Sequence, residues 1–113
     1  MHYGHSKDVE AVPQTKYGST GAAMRTLISR EQGAPVFAMR VIEIQKDGFV
    51  GMHEHPYEHE IFILRGKARA KAGDESVDMD PGDFVSIPGG IIHGFDNIGD
   101  DVLEFICCIP IQD

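Results

Sequence analysis

Turn-forming residues punctuate this chain so often that no long helix fits between them. Thirteen glycines and six prolines are spread along 113 residues, and the runs they delimit are short and rich in β-branched and aromatic residues. Alternation or β-prone composition predicts strands over 24–29, 36–44, 49–55, 59–65, 67–72, 76–79, 84–87, 91–95 and 102–109. Turns are expected at Gln32-Gly-Ala-Pro35, at Lys46-Asp-Gly48 as a hairpin, at Gly73-Asp-Glu75, and at Asp80-Pro-Gly-Asp83. About nine short strands with turns between them are the pattern of an antiparallel sandwich or barrel. Residues 1–20 are polar and read as an N-terminal arm or an early edge strand, with 21–113 as one domain.

Four of six histidines fall within two of these punctuated segments. The first runs Gly48-Phe-Val-Gly-Met-His53-Glu-His55-Pro-Tyr-Glu-His59-Glu-Ile-Phe-Ile-Leu-Arg-Gly66, and the second Gly82-Asp-Phe-Val-Ser-Ile-Pro88-Gly-Gly90-Ile-Ile-His93-Gly-Phe-Asp-Asn97. Residues two apart on a strand share a face, so His53 and His55 can enter one cavity. After Pro56 the next strand brings in His59, and His93 arrives from a distant strand. Imidazoles gathered this way lack a common core partner and point to a bound transition metal. His2 and His5, in the arm, are expected to be solvated.

The second segment matches in full the cupin motif G-x5-P-x-G-x2-H-x3-N through Gly82, Pro88, Gly90, His93 and Asn97. The first resembles the companion motif G-x5-H-x-H-x3,4-E-x6-G through His53, His55 and Gly66, with two departures. Gly48 stands one residue too near His53, and histidine takes the place of the usual glutamate. Counting three residues past His55, or six back from Gly66, lands on His59; it shares a strand face with Ile61 and Ile63, opposite Glu60, Phe62 and Leu64. His59 is therefore read as the ligand, with Glu58 and Glu60 outside the first coordination sphere. The chain thus resembles small single-domain four-histidine microbial cupins over about residues 36–110. That resemblance implies an all-β double-stranded β-helix, or jelly-roll barrel. It also implies one divalent transition metal on His53, His55, His59 and His93. Manganese comes first, with iron, nickel, zinc and copper as alternatives.

Four neutral imidazoles leave a divalent ion its full charge and, if octahedral, two open positions. Open positions favour chemistry over a structural role. The expected function is a metal-dependent oxidoreductase of dioxygenase type acting on a small organic molecule. The alternatives are a non-catalytic metal- or small-molecule-binding module and a metal-dependent isomerase or lyase. No separate acid–base dyad is evident.

On the closing strand Leu103, Phe105, Cys107 and Ile109 share one face, and Phe105 and Cys107 are pocket candidates, equally readable as plain barrel core. The adjacent Cys107 and Cys108 point to opposite faces and are expected as free thiols. Ala68, Ala70 and Ala72 face away from Lys67, Arg69 and Lys71, which either widens the cavity or, the preferred reading, makes room for bulky neighbours such as Phe62 and Phe84. Asn97 is expected to tie down the loop after His93, and Gly48, Gly66, Gly82 and Gly90 to serve turns.

A formal charge of −8 argues against nucleic acid or an anionic membrane as partner. No apolar run approaches transmembrane length, and the first residues lack a signal-peptide core, so a cytoplasmic protein is expected. Exposed sheet edges suggest a homodimer.

Overall fold

The computed structural model describes residues 1–112. Nine strands are joined by short turns, with 3-10 turns at Ser6–Asp8, Lys16–Gly18 and Arg30–Gln32 as the helical content of the described residues. The strands are β1 (Val12–Gln14), β2 (Thr20–Ile28), β3 (Phe37–His53), β4 (His59–Arg65), β5 (Ala68–Ala72), β6 (Glu75–Met79), β7 (Phe84–Ile87), β8 (His93–Asn97) and β9 (Leu103–Pro110). They pair antiparallel in the order β6-β5-β8-β3-β9-β4-β7, and β2 joins β3 with β1 outside it. The result is a nearly closed barrel, as the turn spacing predicts.

Side-chain alternation sets what fills it. On β4, His59, Ile61 and Ile63 are buried while Glu60, Phe62 and Leu64 are exposed. On β9, Leu103, Phe105, Cys107 and Ile109 are buried and the residues between them only partly so. These meet Ile44 on β3, Met79 on β6, Ile87 on β7 and Phe95 on β8 in one core. Burying such side chains contributes roughly 1.5–3 kcal/mol each before chain entropy is set against it.

Two expectations are corrected here. The first is the hairpin at Lys46-Asp-Gly48, which does not form. Asp47 does adopt a left-handed conformation (φ 65°), but β3 runs on through it. Both flanks stay on β2, with Ala22 opposite Ile44 and Thr20 opposite Phe49, so the extra residues of β3 are taken up as a bulge. Gly48 accordingly lies within β3, not in a turn. Before the bulge β3 pairs with β9; beyond it, Phe49 to His53 pair with β8. One bent strand thereby serves two walls. The second correction concerns Phe62 and Phe84. They face each other across β4 and β7 on the outer surface and are exposed, so the buried alanines Ala68 and Ala70 cannot be making room for them.

Gly66 shows why a turn residue had to be glycine. Its φ is +86°, and a β-carbon there would lie 2.6 Å from the Val102 carbonyl oxygen. Asn97 holds the far end of the same region. Its amide donates to the Ile44 and Asp101 carbonyls at 2.9 Å each and its oxygen accepts from Gly99 N–H at 3.0 Å, which is the loop tie expected of it.

No helix among the described residues is long and apolar enough to cross a membrane. Cys107 is buried and Cys108 half-buried, both as free thiols. His2 and His5 are exposed, and His5 Nδ1 accepts from Lys7 N–H at 3.1 Å to cap the first 3-10 turn.

Candidate metal centre

The end of β3, the loop after it and the start of β8 meet at one mouth of the barrel. His53 and His93 are direct cross-strand partners, and His55 follows His53 by two residues. One ring nitrogen from each of His53, His55 and His93 lies within 4.8 Å of the other two. The opposite ring nitrogens are already committed. Nδ1 of His53 lies 2.8 Å from the Gly51 carbonyl, that of His55 2.9 Å from Tyr57 O, and that of His93 2.8 Å from Ile91 O. A carbonyl only accepts, so each Nδ1 carries the proton and each Nε2 is left with a free lone pair.

Nε2 of His93 is buried without a hydrogen-bond partner. An orphaned buried acceptor costs stability unless something occupies it. Three lone pairs facing a common point fit a cation, and imidazole suits a borderline transition metal. His53, His55 and His93 could therefore hold a metal ion.

His59 enters from β4 and is 7% exposed, whereas Glu60 points to solvent. Its Nε2 lies 2.5 Å from Nε2 of His55, and its Nδ1 lies 3.2 Å from the Cys107 sulfur. Either His59 Nε2–H donates a hydrogen bond to His55 Nε2 across that gap, or both rings present lone pairs to a shared cation. His59 neighbours the rings of His55 and His93, at centroid distances of 4.2 and 5.0 Å.

Burial favours the neutral form of His55, His59 and His93. Burial, then the neighbouring His55 and Arg40, drops His59 from 6.5 to about 3. Burial likewise lowers His55 and His93, against their backbone hydrogen bonds. Neutral imidazole is the form a metal requires. Burial pushes the Cys107 thiol up, while Arg40 pulls it the other way.

Aromatic rings brace the cluster from outside. Tyr57 stacks on His55 at 4.0 Å and 4°, and Tyr17 on His53 at 4.4 Å and 6°. Tyr17 belongs to the polar N-terminal segment, which the sequence reading left without a role. That segment forms β1 on β2, and the turn after it packs on β3 so closely that a β-carbon on Gly51 would fall 1.8 Å from the Tyr17 carbonyl oxygen. Ser19 adds a hydrogen bond from Gly51 N–H at 3.0 Å.

A cavity of about 110 Å³ opens beside the cluster, bounded by Gln14, Lys16, Tyr17, Met24, Arg40, His53, His59, Phe95, Phe105 and Cys107 among others. Phe105 and Cys107 thus line the space next to His59. Gln14, Lys16, Tyr17 and Arg40 had escaped the sequence reading. For Arg40 a signal existed: it alternates with Ala38, Ile42 and Ile44, which makes it an inward position.

The cupin-domain family model matches residues 40–109. Among solved structures, the polyketide cyclase RemF of Streptomyces resistomycificus is 29% identical, covers 99% of this chain and 80% of its own, and superposes with a TM-score of 0.92. A predicted oxalate decarboxylase of Thermotoga maritima is 25% identical over 96% of this chain and 97% of its own, with a TM-score of 0.83. A curated relative, the 1-methylthio-D-xylulose 5-phosphate methylsulfurylase of Rhodospirillum rubrum, is 31% identical over 74 residues, 66% of this chain. The chain spans about half the length of that relative (47%). The names of these relatives point to different chemistries, and on the span of the family match, residues 40–109, the chain belongs to the cupin family.

Proposed function

We propose that this chain is a metal-dependent cupin enzyme of polyketide-cyclase type, closing a ring in a small poly-β-carbonyl compound. The observation that carries this reading is the trio His53, His55 and His93, each with its outer nitrogen tied to backbone, facing one point beside a largely apolar cavity. Likeness to a polyketide cyclase over 99% of the chain supports the choice of reaction.

In this reading His59 completes a four-histidine set, and manganese is the first assignment among the possible ions. The bound ion would supply Lewis acidity to a carbonyl oxygen of the substrate. The protein's own residues do the rest. Phe95, Phe105, Met24 and Ile42 exclude water and fold the chain back on itself. Tyr17 closes the cavity on the solvent side. Ring closure by aldol addition moves one C–H proton to the new hydroxyl, forms one C–C bond and consumes no oxidant.

Oxygen chemistry of dioxygenase type is the second reading, favoured by the all-imidazole donor set. Against it stands Cys107, whose sulfur lies 3.2 Å from His59 and would be oxidised by peroxide formed there. A non-catalytic binding module would use the same site without turnover. In the cell the protein is expected in the cytoplasm. A homodimer is proposed through an exposed outer face carrying Phe62, Leu64 and Phe84 beside the free edge of β7.

The test uses protein loaded with zinc or manganese and an N-acetylcysteamine thioester of 3,5,7-trioxooctanoate. Metal-dependent appearance of a cyclised product with both ions, and without O2 uptake, supports the cyclase reading. Stoichiometric O2 consumption with manganese alone moves the assignment to oxygen chemistry. Conversion no faster than without protein overturns both.

A further inference from the structure

Most cations on the outside of this barrel are matched by acids. Arg25 meets Glu43, Arg65 meets Asp101, Arg69 meets Asp78, Lys71 meets Asp96, and Lys7 meets Glu104. Arg40 is different. It sits at an inward position of β3, opposite Cys107 on β9 and Thr26 on β2, and no carboxylate pairs with it among the described residues. Its Nη2 donates to the Cys107 sulfur at 3.0 Å and its Nη1 to the Met24 sulfur at 3.4 Å. Its Nε is buried with no partner at all.

Two thioether- or thiol-type sulfurs are weak acceptors and do not neutralise a guanidinium. Arg40 is half-buried, so water reaches part of its charge, but a guanidinium with its Nε buried and unpartnered and no carboxylate beside it is a ready receptor for an anion. In a chain with 18 acidic and 10 basic residues, no acid lines the cavity that Arg40 borders. A single sulfur, that of Cys107, separates the guanidinium from His59. A ligand bridging the two would present oxygens a few bonds apart.

We propose that Arg40 is the anion-binding group of the cavity. Its ligand is a small β-oxo carboxylate with its keto oxygen towards the histidines and its carboxylate on the guanidinium. The β-oxo part rests on the cyclase reading; the anion site does not. Arginine suits the task because its planar fork matches a carboxylate and keeps its charge at any working pH.

Calorimetric titration of the zinc-loaded and the metal-free protein tests this with three probes: acetoacetate, its neutral methyl ester, and acetylacetone. Wild-type protein is expected to bind acetoacetate roughly tenfold or more tightly than the ester. Arg40→Met should abolish that preference in both metal states, with acetylacetone as the carboxylate-free reference within each variant. Arg40→Lys should retain part of it. Equal binding of acid and ester by wild type overturns the proposal, and so does a preference that survives Arg40→Met or that vanishes only in Lys16→Ala. If Arg40→Met does not fold, the wild-type comparison and Arg40→Lys still decide. Failure of acetylacetone to bind the loaded protein would count against the cyclase reading alone, since the acid–ester difference in metal-free protein is independent of it.

Discussion

His53, His55 and His93 are each held by a carbonyl two residues away in the chain, whereas His59 is held by a sulfur forty-eight residues away. The first three therefore owe their orientation to local backbone, which side-chain substitutions elsewhere do not alter. The fourth depends on how β4 and β9 pack, and through Cys107 on where Arg40 lies. If His59 joins the other three on a metal as proposed, the site would have a fixed part and an adjustable part. The adjustable part is the one in contact with the ligand cavity, which also touches His53.

Removing a member of the fixed trio should break this contrast most strongly. His93→Ala is expected to weaken metal binding beyond the roughly 100-fold that loss of an outer partner can cost, measured by chelator competition. His59→Asn should cost less, because three facing nitrogens remain. Equal losses would show that the two classes are not distinct.

Cys107→Ala comes next. It leaves His59 Nδ1 and Arg40 without the sulfur they share, so metal affinity should fall about tenfold and stability by about 1–2 kcal/mol. Tyr57→Phe, which spares the carbonyl that holds His55, should do neither. Urea titration and metal competition read both effects.

Acid sharpens the comparison further. His59 titrates at about 3 in the folded chain against 6.5 when free. Between those values the unfolded chain takes up a proton that the folded one refuses, so stability without metal falls as pH drops from 6.5 towards 3. His59→Gln should flatten that slope, seen by denaturant titration in chelator at several pH values. The smallest effect is expected from Glu60→Gln. Its carboxyl lies outside the barrel, its pKa raised by a hydrogen bond that its protonated form donates to Glu58 and by slight burial, and metal affinity should stay within about twofold.

Much of this contrast was legible in the residues themselves. Alternation on β4 separates His59 from Glu60, and alternation on β9 turns Cys107 inward, because a barrel wall with one wet face imposes a period of two. The bulge at Asp47 was not legible. A left-handed Asp before glycine reads locally as a hairpin, and only pairing with β2 on both sides of it turns it into a bend. Phe62 and Phe84 were misplaced for a related reason: size suggested core, while register put them outside. Tyr17 left no trace, since stacking on His53 depends on a fold of the polar segment that no periodicity announces. Arg40 was visible by position but overridden by the habit of placing cations outside.

Gly51 allows the Tyr17 carbonyl to approach so closely that only a hydrogen atom fits between them. A methyl group at that position would act as a wedge, prising the leading segment off the mouth of the barrel and lifting Tyr17 from the face of His53. Gly51→Ala would thus trade a closed chamber for an open trough, admitting bulkier molecules at the cost of discrimination, and a single carbon atom would suffice to broaden what the protein accepts.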